Sequence, residues 1–456
     1  MASRARVVHK KSGIHQVKQG KQQDVLDKEF RRHRALRIIA VICIVAAVGW
    51  LLVQFFGPPL KYKLLEPPRD ALDSPQFLRN LEGLTNTPIS RNNRIEALPN
   101  GEKFYAAEIA AMRQARHNID IDAYIFRRDD LTRRVLDVLT ERARHGVRVT
   151  LVVDAIGSAT TGKNYFNDLL KAGGRMAWYH PVRWNTWMRS NNRTHREITV
   201  IDGETAFVGG AGYGGVWMEG DKKQSRWRDT MFRVRGDAVS GLQSAVVQNW
   251  LEASGEVLNG SDYFPPAGNP GQTPALVVAS TPTTSGATRA RLLFQVLMAA
   301  ARKSIYITTP YFVPDASARD ELLRAIRERH VQVNLLVPGS KSDHPTIRST
   351  SRATYGPLLA AGAHIYEYEP TMLHAKILVV DESWVVAGST NFDPRSFGID
   401  DEDNLAALDP ELARGLIADF QQDVTASRHV TYDHWKSRSV FERALEWFGA
   451  LWQRQQ

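Results

Sequence analysis

One cysteine, Cys43, stands among 456 residues. A disulfide framework within the chain is thereby excluded, and so is zinc ligation of the paired-cysteine kind, while the redox compartment stays open. Positive charge is also scarcer than the total suggests. The formal net charge is +10, yet residues 1–37 alone carry eleven Lys/Arg against three acids, leaving a surplus of only 2 for everything beyond them. A body without strong basic bias is a poor electrostatic partner for a polyphosphate backbone, so nucleic acid is not the expected ligand.

What is present begins with one long uncharged run, IIAVICIVAAVGWLLVQFF, from Ile38 to Phe56. At helical rise it spans about 28 Å, the thickness of a bilayer's hydrocarbon core, and it predicts a single transmembrane helix over 38–56. A cleaved signal peptide fits worse: the basic segment before the run is long, and Gly57-Pro58-Pro59 offers no small-x-small cleavage site. The basic residues of 1–37 are expected to keep the amino end in the cytoplasm and to attract anionic lipid, which puts the remainder of the chain on the outer face.

Residues 57–94 read as a linker, rich in proline at its start, after which two related units follow. FYAAEIAAMRQARHNIDIDAYIF (104–126) and LLFQVLMAAARKSIYITTPYF (292–312) each pass from helical to alternating periodicity. LLKAGGRMAWYHP (169–181) and LLAAGAHIYEYEP (358–370) then precede RTHREITVID (193–202) and MLHAKILVVD (372–381). The fold class is therefore α/β, with two pseudo-symmetric halves at 95–255 and 275–435, expected as two packed sheets with the binding site between them. Residues 436–456 predict an amphipathic C-terminal helix, with Phe441, Leu445, Phe448 and Trp452 among its apolar stripe.

In an extended strand His374 and Lys376 share one face, as do His195 and Glu197. Asp202 and Asp381 lie seven residues beyond each histidine, up to about 23 Å at strand rise, so they are expected to be structural groups at strand ends. Residues 374–391, HAKILVVDESWVVAGSTN, place H-x-K-x-x-x-x-D before G-S-x-N. This duplicated, ordered pattern resembles the phospholipase D superfamily, and the basic anchor before it is most similar to the bacterial cardiolipin synthase branch. The resemblance implies a phosphatidyltransferase of the bacterial inner membrane that makes cardiolipin from phosphatidylglycerol through a phosphohistidine intermediate. It implies no metal or organic cofactor, and phosphatidylglycerol or phosphatidylethanolamine as phospholipid substrates. A phospholipase D-type hydrolase and a non-catalytic lipid-binding protein are the alternatives.

The chemistry asks for one neutral imidazole as nucleophile and one protonated imidazole as general acid, roles open to both His195 and His374. Lys376 would supply positive charge to a phosphodiester, and Ser389 and Asn391 neutral donors. By resemblance an acid downstream orients each ring: Asp229 for His195 and Glu402 for His374. The first half departs from the pattern, with Glu197 in place of lysine and Gly210 and Gly212 in place of serine and asparagine. A carboxylate about 4 Å from a phosphate is repelled by roughly 4 kcal/mol at an effective dielectric near 20, so a pairing of Glu197 with Arg193 or Arg228 is expected. Glu197 facing the substrate headgroup, and decay of the first half, are the other readings. Between Pro181 and His195 the first half also carries an insertion, VRWNTWMRSNN, whose Arg183, Trp184, Trp187 and Arg189 suit a bilayer interface or a lid.

Overall fold

The computed structural model describes residues 29–50, 61–184, 189–218, 226–283, 287–439 and 442–443. The chain divides into two compact units, 1–58 and 59–456. In the first, α1 (Glu29–Trp50) is 22 residues long with mean hydropathy 1.7, and none of its most apolar stretch is buried inside the protein. It is long and apolar enough to cross a membrane. The chain is already helical nine residues ahead of the uncharged run, where Arg31, Arg32, Ala35, Leu36 and Arg37 are good helix formers. The carboxyl end of the expected span, from residue 51, lies outside the described residues, as do Trp187 and most of the C-terminal helix expected over 436–456.

In the second unit the stretch read as linker contains a helix, α2 (Pro75–Thr85), capped by Ser74. Its Phe77 and Leu81 are fully buried in the core of the second half, so this segment is part of the domain and not a spacer. The first half then runs β1 (Ser90–Pro99), α3 (Gly101–Gln114), β2 (Asn118–Ala123), α4 (Asp130–Arg144), β3 (Arg148–Asp154), α5 (Asn167–Lys171), β4 (Arg175–Tyr179), β5 (Glu197–Ile201), β6 (Thr205–Gly209), β7 (Thr230–Gly236) and α6 (Ala238–Ser254). The second half repeats it as β8 (Thr273–Ser280), α7 (Arg289–Ala300), β9 (Ser304–Thr308), α8 (Ala316–Arg329), β10 (Gln332–Pro338), α9 (Pro345–Ala361), β11 (His364–Tyr368), β12 (Ile377–Val380), β13 (Trp384–Gly388), α10 (Pro394–Gly398), β14 (Glu402–Leu408) and α11 (Pro410–Thr425). β15 (Ser427–Val430) and α12 (Tyr432–Lys436) follow.

Local sequence accounts for these elements. In α4, Asp129 and Thr132 form a reciprocal capping box, and Leu131, Val135, Val138 and Leu139 recur at helical spacing and are buried. In β3, VTLVVD is buried throughout, as expected of a strand covered on both faces. β2 carries two aspartates into the core, and α6 meets them with amides: Gln243 Nε2 donates to Asp120 at 3.1 Å and Asn249 Nδ2 to Asp122 at 2.8 Å.

The halves do not form two packed sheets. They share one sheet of 15 strands, ordered β15-β11-β10-β9-β12-β13-β14-β8-β1-β7-β6-β5-β2-β3-β4. Its centre is the antiparallel pair of β1 with β8, the equivalent strands of the two copies, and the order outward is the same on both sides. Edge pairing satisfies backbone groups that two separate sheets would leave open. A core cluster shared by both halves covers one face, with Val200, Phe232 and Val246 packed with Val379, Val385 and Leu416.

Candidate active site

Each histidine segment lies just before a hairpin whose far end is held rigidly. The β5–β6 hairpin turns at Asp202 (φ +54°) and the β12–β13 hairpin at Asp381 (φ +51°), a left-handed conformation that aspartate tolerates. The Asp202 carboxylate accepts the backbone N–H groups of Arg116, His117 and Asn118, and Asp381 those of Arg302, Lys303 and Ser304. Both aspartates are thus tied into strand ends and turns.

The histidines themselves precede the ladders, since β5 starts at Glu197 and β12 at Ile377. They are held instead by parallel bridges to the opposite half, Thr194 with Asp401 and Leu373 with Arg228. His195 N donates to Asp401 O at 2.9 Å, and His374 N donates to Arg228 O at 2.7 Å. These bridges bring the residue after each acceptor, Glu402 or Asp229, against the ring. His195 Nδ1 lies 2.9 Å from Glu402 Oε1, and His374 Nδ1 lies 2.9 Å from Asp229 Oδ2. The expected assignment is therefore reversed: Glu402 orients His195 and Asp229 orients His374. The acid nearest in sequence sits in the wrong half, because the pseudo-twofold relation lays each histidine segment beside the other copy's acid.

Both rings and Glu197 line one cleft of about 500 Å³, together with Tyr124, Arg127, Trp227, Tyr311 and Asn391. Lys376 Nζ lies over the ring of His374, 3.1 and 3.2 Å from its two nitrogens, and 3.4 Å from Gly210 O. Trp217 and Trp227 flank the same ring with centroids 5.5 and 5.3 Å away. The two imidazoles are driven apart electrostatically. Burial and the Lys376 cation press the pKa of His374 below its ordinary value, against the pull of Asp229. Burial acts on His195 in the same sense, but the Glu402 carboxylate outweighs it and the His195 pKa ends above its ordinary value. The two shifts run in opposite directions, as a base and an acid sharing one site require.

Other expectations are redirected. Ser389 is fully buried and donates to Glu402, while Asp403 N–H donates to the Ser389 hydroxyl at 3.0 Å. It steadies the acid behind His195 and does not face the cleft. Asn391 does line the cleft, and its Oδ1 has no hydrogen-bond partner. Neither proposed arginine pairs with Glu197: Arg193 Nε bonds Asp154 at 2.9 Å, and Arg228 Nε bonds Asp423 at 3.0 Å. Glu197 Oε1 instead accepts the Ile125 N–H at 3.1 Å. In the insertion, Trp184 is 90% exposed, and Arg189 lies 3.9 Å from Glu252.

Sequence reasoning passed over Tyr124, whose ring stands edge-on to His195 at 5.2 Å, and the hydrogen-bonded pair Tyr311–Asp343 at 2.9 Å. Neither carries a spacing signal; the segments after β2, β9 and β10 deliver them to the cleft. Among the described residues, no group of three or more His, Cys, Asp or Glu is placed to hold a metal ion.

The family model described as "Cardiolipin synthase, PLD-like domain" matches residues 109–215 and 294–424. Cardiolipin synthase 2 of Bacillus cereus is 36% identical over 364 residues, 78% of this chain and 70% of its own length. The major cardiolipin synthase of Bacillus subtilis is 29% identical over 439 residues, 90% of each chain. In fold, the chain is similar to the phosphatidylserine synthase of Haemophilus influenzae, with a TM-score of 0.62 at 14% identity, covering 83% of this chain and 99% of that one. Two matched copies of the domain, meeting across one sheet, show that the chain belongs to the cardiolipin synthase family of phospholipase D-like proteins.

Proposed function

We propose that this chain is a membrane-anchored phosphatidyltransferase that makes cardiolipin from phosphatidylglycerol. The observation that carries the reading is a pair of imidazoles in one cleft, one favoured neutral and the other favoured cationic, each oriented by a carboxylate from the opposite half. With Nδ1 bonded to Asp229, His374 presents the lone pair of Nε2 to phosphorus. The N–P bond forms as the P–O bond to the departing glycerol breaks, and His195 Nε2–H delivers its proton to that oxygen. In the second step neutral His195 removes the proton from the headgroup hydroxyl of a second phosphatidylglycerol, whose oxygen displaces His374 from phosphorus. Cardiolipin leaves, and both histidines regain their starting forms. Lys376 supplies the charge that offsets the phosphodiester anion in both steps.

The helix Glu29–Trp50 supports a shared surface for enzyme and lipid, and the basic segment ahead of the span favours a cytoplasmic amino end. The functional test uses purified full-length protein with phosphatidylglycerol vesicles, followed by lipid chromatography. Cardiolipin plus glycerol in equal amounts supports the transferase; phosphatidic acid alone would assign the chain as a hydrolase, and no change would leave a lipid-binding protein. Topology is read from protease added to intact spheroplasts, with digestion of the region after Pro59 expected and full protection counting against an outward-facing catalytic unit.

A further inference from the structure

Glu197 stands where the second half has Lys376, and two glycines accompany it. A Cβ at Gly212 would lie 2.5 Å from Glu197 Oε1 and 2.7 Å from Ile125 O, so a side chain such as that of Asn391 cannot share this place with the glutamate. A Cβ at Gly210 would lie 3.0 Å from Lys376 Nζ and 3.1 Å from Asp229 Oδ1. Gly212 thus makes room for Glu197 itself, and Gly210 for Lys376 and Asp229 beside His374.

Glu197 is 5% exposed and lines the cleft. Its Oε1 accepts from Ile125 N–H, and its Oε2 has no hydrogen-bond partner. The charged and titratable groups facing it are Lys376 from the segment before β12, Asp122 from β2, Asp403 from β14 and Tyr105 from α3. Burial, reinforced by the two aspartates, raises its pKa well above the ordinary carboxyl range, against the pull of the Ile125 N–H and Lys376. An ionised Oε2 without a partner would be a costly buried anion. In the protonated acid, the oxygen bonded to Ile125 acts as the carbonyl and Oε2 carries the hydrogen.

We propose that Glu197 works as a neutral carboxylic acid whose Oε2–H donates a hydrogen bond to a non-bridging phosphoryl oxygen of the bound phosphodiester, opposite the Lys376 cation. Lys376 and cationic His195 already bring two positive charges to a monoanion. A second lysine would add a third and disfavour the protonated His195 that must act as acid, whereas a neutral donor grips the oxygen without that penalty. The inference rests on the phosphodiester chemistry of the function stated above and not on which lipid is the substrate.

The test compares wild type, Glu197→Gln and Glu197→Ala as full-length protein, on phosphatidylglycerol vesicles and on the soluble activated diester bis(4-nitrophenyl) phosphate. Glutamine keeps the arrangement, its carbonyl accepting from Ile125 and its amide N–H replacing Oε2–H. We expect kcat/KM to fall severalfold in Glu197→Gln and about 10²-fold in Glu197→Ala, the usual cost of removing one preorganised donor. Activity lost by ionisation of Glu197 at high pH should be absent from the glutamine variant. A wild-type-minus-Gln infrared difference spectrum at neutral pH should show the carbonyl band of a protonated carboxylic acid, a readout that needs neither turnover nor a folded alanine variant. Carboxylate bands in that spectrum, wild-type turnover in folded Glu197→Ala, or equal losses in Gln and Ala would each overturn the proposal. Turnover of the soluble diester without cardiolipin would defeat the lipid reading alone, and the Gln-to-Ala ratio on that diester would still decide the role of Glu197.

Discussion

The His195 and His374 sites share one backbone frame and a carboxylate behind each ring, and differ in the other groups around it. His374 has lysine over its ring, aspartate behind it and two tryptophans beside it. His195 has glutamate behind it, a buried acid two residues on, and Tyr124 at its edge. Duplication supplied two imidazoles in one cleft; unequal surroundings shift their pKa values in opposite directions. A second lysine in place of Glu197 would pull the His195 pKa down, in the same sense as Lys376 already does and against Glu402.

The sharpest way to break this comparison is His374→Ala. If His374 is the nucleophile, turnover should fall by more than the 10²–10⁴-fold typical of losing a general acid, and no covalent phosphoryl-enzyme should be trapped from labelled phosphatidylglycerol. His195→Ala should still accumulate the adduct from a diester with a nitrophenyl leaving group, which departs without a proton. An adduct on residue 195 in the His374→Ala protein would reverse the assignment.

Next in size are the acids. Asp229→Asn and Glu402→Gln should each cost on the order of 10²–10⁴-fold in kcat, because an amide supports the wrong tautomer. Their pH profiles should separate them. Glu402 holds the His195 pKa up, so Glu402→Gln lowers it and moves the alkaline limb of kcat/KM to lower pH. Asp229 opposes the depression of His374, so Asp229→Asn lowers that pKa further and moves the acidic limb to lower pH. Identical profiles for the two variants would dissolve the division of labour.

Gly212→Ala is expected to have an intermediate effect. Its Cβ would press on Glu197 Oε1 and on the carbonyl of Ile125, and overpacking of this kind costs about 1–3 kcal/mol in stability. Thermal melts should show that loss and kinetics a lower kcat; recovery of stability, though not of kcat, by a second change, Glu197→Ala, would place the clash at the glutamate. The smallest effect on chemistry belongs to Asp202→Ala and Asp381→Ala. Each leaves three backbone N–H groups without their carboxylate, so stability should drop by about 1–3 kcal/mol in either half while kcat stays near wild type. Unequal losses would show that the frame is less symmetric than its hydrogen bonds.

Much of this was legible in the linear chain. The apolar run of 38–56, the repeated helix-to-strand periodicities and the twin H-x-[KE]-x-x-x-x-D segments are local patterns, and local patterns determine which elements form and which residues recur at equivalent places. They also isolated Glu197, Gly210 and Gly212 as the departures. Tertiary structure decided what those residues do. It joined β1 to β8 and so made one sheet of two expected ones, exchanged Asp229 and Glu402 between the histidines, turned Ser389 toward Glu402, gave Arg193 and Arg228 to other carboxylates, and enclosed Glu197 with one unpartnered oxygen. The physical reason is common to all of these: side-chain periodicity is written within a few residues, whereas partners and protonation depend on groups brought together from opposite halves by a pseudo-twofold relation that no sequence spacing records.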